Sequence, residues 1–150
     1  MKHEEYMKRA IELATIALNN DEVPVGCVIV LNDEIIGEGY NVREQQQTIF
    51  THAENIAINE ANKKLNSWRL EDCDLYVTLE PCLMCAGAIS QARIKNVYFG
   101  AMDIKAGAYG SVIDVSQIHS LNHHTTVYGG LLKDECQQLL KLYFKGKRKQ

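Results

Sequence analysis

Near the start of the chain, Met7, Ala10, Ile11, Ala14, Ala17 and Leu18 recur three and four residues apart. This spacing predicts an amphipathic helix over residues 3–19 with that stripe against a sheet, ended by Asn19-Asn20-Asp21. The pattern then changes to Val25-Gly26-Cys27-Val28-Ile29-Val30-Leu31, an unbroken β-branched run of the length of a buried strand. Asn32-Asp33 turns it into a second short strand around Ile35-Ile36, so the two are expected to pair as a hairpin. Ala53, Ile56, Ala57 and Ala61 predict a helix over residues 53–64, and Asp74-Leu75-Tyr76-Val77-Thr78 reads as a strand. The next helix is expected to begin at Pro81, whose missing N–H costs nothing in a first turn, and to reach about Gln91. Asn96-Val97-Tyr98-Phe99 and Thr126-Val127-Tyr128 are further strands. After Gly129-Gly130, the residues Leu131, Leu132, Leu139, Leu140, Tyr143 and Phe144 belong to a final helix.

Strands alternating with helices predict one α/β domain over residues 1–150, a three-layer α/β/α sandwich whose five-stranded sheet is mixed because of the opening hairpin. No repeat, low-complexity tract or Pro/Gly/Ser linker divides the chain. Residues 101–124 show no clear period, and a stretch of that length in a compact domain is more often functional than idle.

Composition narrows the class. With 150 residues, 46% apolar and 23% charged, the chain suits a single globular core and excludes disordered and fibrous classes. No apolar run approaches the roughly 18 residues a membrane helix needs, and Met1-Lys2-His3-Glu4-Glu5 does not resemble the start of a signal peptide, so a cytoplasmic protein without membrane partners is expected. Charge is uneven: residues 1–60 carry eleven acids and four bases, whereas residues 61–150 carry eight and twelve. Lys141, Lys145, Lys147, Arg148 and Lys149 form a basic end suited either to a polyanion or simply to the negative pole of a helix. Five cysteines, an odd number, argue against a disulfide framework. Cys27, Cys73 and Cys136 stand alone and read as small buried apolar side chains.

Cys82 and Cys85 differ, because they form Cys-x-x-Cys directly after Pro81. Together with His52 they make a zinc-type set, and three protein ligands with an open fourth position mark a catalytic site. Cys82 and Cys85, three apart in a first turn, share a face where the helix dipole favours thiolates. His52 and Glu54 are only two apart, which beside a helix would point them to different sides. The conflict disappears if the helix amino terminus aims end-on at the metal, so two helix starts are expected to converge on it. Glu54 need not then be a ligand, and a carboxylate there is placed to take a proton from water and deliver it elsewhere.

His-x-Glu, 29 intervening residues and Pro-Cys-x-x-Cys form the pattern of the zinc-dependent base deaminases. The likeness extends through Leu75–Ala88, the segment Gly100-Ala101-Met102-Asp103-Ile104-Lys105-Ala106-Gly107-Ala108-Tyr109-Gly110-Ser111, the stretch Glu22–Gly26 and the final helix. Over nearly its whole length the chain resembles the bacterial tRNA-specific adenosine deaminases, a branch of the cytidine/deoxycytidylate deaminase superfamily. The resemblance implies a cytidine deaminase-like fold, a homodimer, one zinc per subunit held by His52, Cys82 and Cys85, and Glu54 as proton shuttle. It further implies that Asn41 hydrogen-bonds the purine, that Val25 and the Ala53 backbone line the base pocket, and that Asp103, Lys105, Asn122 and His123 contact the tRNA anticodon stem-loop. The implied reaction is hydrolysis of the wobble adenosine to inosine with release of ammonia. Two places depart from the usual pattern: Ile49-Phe50-Thr51 stands where Pro-Thr-Ala is common, and His124 where arginine is common.

Three rival readings remain at this stage. A free-base or nucleoside deaminase of guanine or cytosine type would share the zinc chemistry but would not require the 101–124 segment or the basic end. A structural zinc module would need a fourth ligand, for which His123 or His124 are candidates. A catalytically silent subunit would not need the intact ligand and shuttle set.

Overall fold

The computed structural model describes residues 2–148, so Lys149 of the basic end lies outside the described residues. Helix α1 (Lys2–Asn19) leads into the antiparallel hairpin of β1 (Gly26–Leu31) and β2 (Glu34–Tyr40). Asn32 and Asp33 both take positive φ, 50° and 65°, as a tight hairpin turn requires. A four-residue helix α2 (Arg43–Gln46) follows, then α3 (Ala53–Leu65), β3 (Asp74–Leu79), α4 (Leu83–Gln91) and β4 (Asn96–Ala101). A short 3-10 turn at Val115–Gln117, strand β5 (Thr126–Gly129) and α5 (Lys133–Arg148) complete the chain.

The five strands form one sheet in the order β2-β1-β3-β4-β5, with β1 antiparallel to both its neighbours and β3, β4 and β5 parallel. The mixed three-layer sandwich expected from the sequence is therefore present. Alternation along the strands divides the core. Cys27, Ile29, Leu75, Val77, Val97 and Phe99 meet α3 and α4 through Ala57, Ala61, Ala86 and Ile89. Val28, Val30 and Tyr76 point the other way, onto Leu13 of α1, while Ala101 meets Met7, Ala10 and Cys136 of α1 and α5. Cys27, Cys73 and Cys136 are all buried, as expected of lone cysteines.

One sequence expectation fails by two residues. Helix α4 begins at Leu83, not Pro81, because Cys82 is extended (φ −76°, ψ 176°) and serves as the N-cap. Pro81 is held outside the helix, its carbonyl accepting the N–H of Ala108 at 2.9 Å.

The seating of α3 depends on Gly39, where a Cβ would overlap the Ala53 carbonyl and come within 2.9 Å of the Ala57 nitrogen and the Ile56 Cβ. Backbone cannot move aside as a flexible side chain can. Gly39→Ala is therefore expected to destabilise the protein by about 2 kcal/mol or more in urea unfolding, and to weaken zinc binding because the start of α3 must lift. Wild-type stability and zinc affinity in that variant would contradict this account of the packing.

Candidate active site

Both helix starts nearest the sheet's β3 carboxyl end bear ligand residues. His52 is the N-cap of α3 (φ −74°, ψ 154°) and Cys82 the N-cap of α4, and neither side chain caps its own helix. Freed from that role, the side chains turn toward each other: His52 Nδ1 lies 3.8 Å from Cys82 Sγ and 3.5 Å from Cys85 Sγ. His52, Cys82 and Cys85 offer three ligand atoms within 4.8 Å of one another, and no other His/Cys/Asp/Glu group of this kind occurs among the described residues. Tetrahedral zinc with ordinary bond lengths separates a nitrogen from a sulfur ligand by about 3.6 Å, so the set fits the ion.

Electrostatics agree with the geometry. Cys82 is held well below the usual thiol value, at about 4, chiefly by its hydrogen bond with Cys85 and then by His52. The same hydrogen bond, with burial, raises the Cys85 thiol. His52 is raised by its bond to Cys82, against the effect of burial. Positive helix ends favour the thiolate form of both sulfurs. Glu54, the second residue of α3, is 4% exposed, and burial pushes its carboxyl up to about 7.

His52, Cys82 and Glu54 line a cavity of about 210 Å³. Drug-sized ligands occupy roughly 300–1,000 Å³, so this space suits a single heterocycle with the rest of its molecule outside. Val25, Asn41, Ala53 and Asp103 line it, and Lys105, Asn122 and His123 do not. Lys105 is exposed on the loop after β4. His123 is tied through Nε2 to the Ile94 carbonyl at 2.7 Å, at the far end of β4 and so about 20 Å from the cluster. His124 is tied to the Ile118 carbonyl at 3.1 Å, so neither histidine supplies a fourth ligand.

Asn41 is only 7% exposed and already bonded: Nδ2 donates to the Val23 carbonyl at 3.2 Å, and Oδ1 accepts the Arg43 N–H at 3.1 Å. One N–H of its amide is left for a ligand. Asp103 accepts the N–H groups of Lys105 and Ala106, both at 3.1 Å, in a turn that presents it to the cavity.

Sequence reasoning missed five lining residues, Val23, Arg43, Leu79, Glu80 and Ala106, of which Arg43 and Glu80 are charged. Arg43 starts α2, which has no apolar period and is held from a distance. The carboxylate of Glu22, 1% exposed, accepts the N–H groups of Glu44 and Gln45 at 3.0 and 2.8 Å. The available signal was an acid next to Val23-Pro24-Val25-Gly26 that no helix of its own explained.

Three ligands on two helix ends, an adjacent buried carboxylate and a base-sized cavity define the class of mononuclear zinc hydrolases that act on a heterocycle. The chain belongs to the cytidine and deoxycytidylate deaminase family, whose zinc-binding region matches residues 1–101. It is 46% identical over 144 residues to the tRNA-specific adenosine deaminase of Bacillus subtilis, covering 96% of this chain and 89% of that one. A solved structure from a study of A-to-I editing by tRNA:A34 deaminases at the wobble position superposes with a TM-score of 0.88. That match has 40% identity and covers 91% of this chain and 99% of the other. A guanine deaminase from Bacillus subtilis matches with a TM-score of 0.66 and 44% identity, over 68% of this chain and 66% of that one.

Proposed function

We propose that this protein is a cytoplasmic, homodimeric tRNA adenosine deaminase that hydrolyses the anticodon wobble adenosine to inosine and ammonia. The observation that carries the chemistry is the base-sized cavity lined by Glu54, His52 and Cys82, the last two of which cluster with Cys85. Similarity to a tRNA-specific adenosine deaminase along 96% of the chain supports the substrate. When bound by these three residues, zinc supplies a Lewis acid that makes water acidic near neutral pH.

Glu54 takes a proton from the attacking water and delivers it to N1 of the adenine while oxygen adds at C6. The same carboxylate then takes the remaining proton from the new C6 hydroxyl and passes it to the leaving amine as the C6–N bond breaks, so that water is consumed and ammonia released. Val25 and the Ala53 backbone hold the base, and the remaining N–H of Asn41 donates to the purine. A base must leave its stack to enter such a cavity, and a loop nucleotide does so at less cost than a paired one. Lys105, Asn122 and His123, outside the cavity, serve the rest of the anticodon stem-loop, contributed by either subunit. Lys147 is paired with Asp21 at 2.9 Å, which brings the basic end of α5 beside the loop leading to Val23 and Val25. Lys141 and Lys145, both exposed, bind phosphates in this reading. Exposed Phe50, which lines the groove between α3 and α4, supports burial by a second copy. Among the described residues no helix is long and apolar enough to cross a membrane.

The test is to incubate zinc-loaded protein with an adenosine-wobble tRNA transcript, free adenosine and guanine, and to measure inosine, xanthine and ammonia. Inosine at the wobble position with no free-base turnover is expected. Turnover of guanine alone would keep the zinc chemistry and replace the substrate, in line with the partial likeness to guanine deaminase.

A further inference from the structure

Glu80 is 2% exposed, borders the cavity and belongs to neither the ligand set nor the proton pathway described above. Its carboxylate accepts the N–H groups of Asp103, Tyr109 and Ser111 at 3.1, 2.9 and 3.1 Å, and also the Ser111 hydroxyl. A carboxylate has about four acceptor sites, and here four donors meet it, so nothing is left over for a substrate. The segment from Asp103 to Ser111 is wound around this one side chain.

Two further contacts fasten the same segment to the strand end that carries the ligands. Ala108 donates to the Pro81 carbonyl, and Gly107 forms a β-bridge with Cys82. A methyl group on Gly107 would overlap the Glu80 carboxylate, so the turn closes directly on it. Buried N–H groups need acceptors, and for Tyr109 and Ser111 Glu80 is the one in reach. The wall that results brings Asp103 and Ala106 to the cavity.

We propose that Glu80 is a positioning residue for the nucleotide: by holding the 103–111 segment it sets the wall that presents Asp103, and so governs substrate binding more than proton transfer. The proposal rests on the deaminase reading of the cavity. Glutamine at this position keeps the size but sets an NH2 group against N–H donors, so part of the wall loses its acceptors. Glu80→Gln is expected to raise KM for the tRNA by about tenfold or more, with kcat changed by less than about threefold and zinc retained. Ser111→Ala, which removes a donor from the other side of the same bond, should shift KM in the same direction. In the double variant the two effects should be less than additive.

Hydrogen exchange gives a readout independent of activity. The amides of Tyr109 and Ser111 should lose protection in Glu80→Gln, while that of Ala86, bonded to the Cys82 carbonyl inside α4, keeps it. Unchanged KM and unchanged exchange in both variants would overturn the proposal. So would a collapse of kcat together with loss of zinc at constant KM, which would make Glu80 a support of the ligand strand. If the wild-type protein does not act on tRNA, the functional reading fails, and exchange at Tyr109 and Ser111 still decides whether Glu80 holds the wall.

Discussion

Glu54→Gln abolishes turnover while leaving zinc and fold in place. The substitution is nearly isosteric, and Glu54 is not one of the three ligand residues, so the cluster of His52, Cys82 and Cys85 is preserved. What disappears is a group that both accepts and returns a proton. Burial places the Glu54 carboxyl at about 7, near the pH at which one group serves equally as base and acid. General acid–base catalysis is commonly worth 10²–10⁴-fold, and in the proposed mechanism one residue handles every proton transfer, so a loss of at least about a thousandfold in single-turnover inosine formation is expected. Metal analysis should give the same zinc content as wild type. Retained activity in this variant would remove Glu54 from the mechanism.

The second large effect is expected from Cys82→Ser. Cys82 is held as a thiolate at about 4, whereas a serine hydroxyl does not ionise near neutral pH and is a harder, poorer ligand for zinc. Changing only the hydrogen-bond partner of a ligand commonly costs about 10–100-fold in metal affinity, so removing a ligand should cost more than about 100-fold. The purified variant should be substoichiometric in zinc, inactive, and lower in melting temperature by about 5–10 °C. Chelation of the wild-type protein should reproduce that melting temperature. Stoichiometric zinc in Cys82→Ser would show that the ligand set is wrong.

Much of this architecture was legible from local pattern. The run Val25–Leu31 is continuously apolar because β1 is an interior strand covered on both faces, and the stripe from Met7 to Ala17 lies on the sheet as its spacing requires. The spacing of His52, Glu54, Cys82 and Cys85 made sense only if two helix ends met, which is how α3 and α4 are arranged. What local pattern did not show is held by side chains from far along the chain. Helix α2 is held because Glu22 accepts its second and third N–H groups from 22 and 23 residues away, and no periodicity records such a bond. The segment after β4 looked aperiodic because its order comes from Glu80 and from Asp114, which accepts the Ser116 N–H at 3.0 Å. The shift of the α4 start from Pro81 to Leu83 has the same origin, a bond from Ala108 that a reading of the first turn alone does not contain.

The convergence of two helix ends also concerns the unfolded chain. His52 and Cys85 are 33 positions apart, and between them run α3, β3 and the first turn of α4. An ion gripped by both ends is a cross-link around a closed loop, and for a loop of this length the chain-entropy estimate is about 4 kcal/mol. A domain is typically stable by only 5–15 kcal/mol, so this contribution is a substantial fraction of the whole. The reactive centre is thus also a clasp, and a chain that acquires its metal early searches a smaller set of conformations on the way to the sheet.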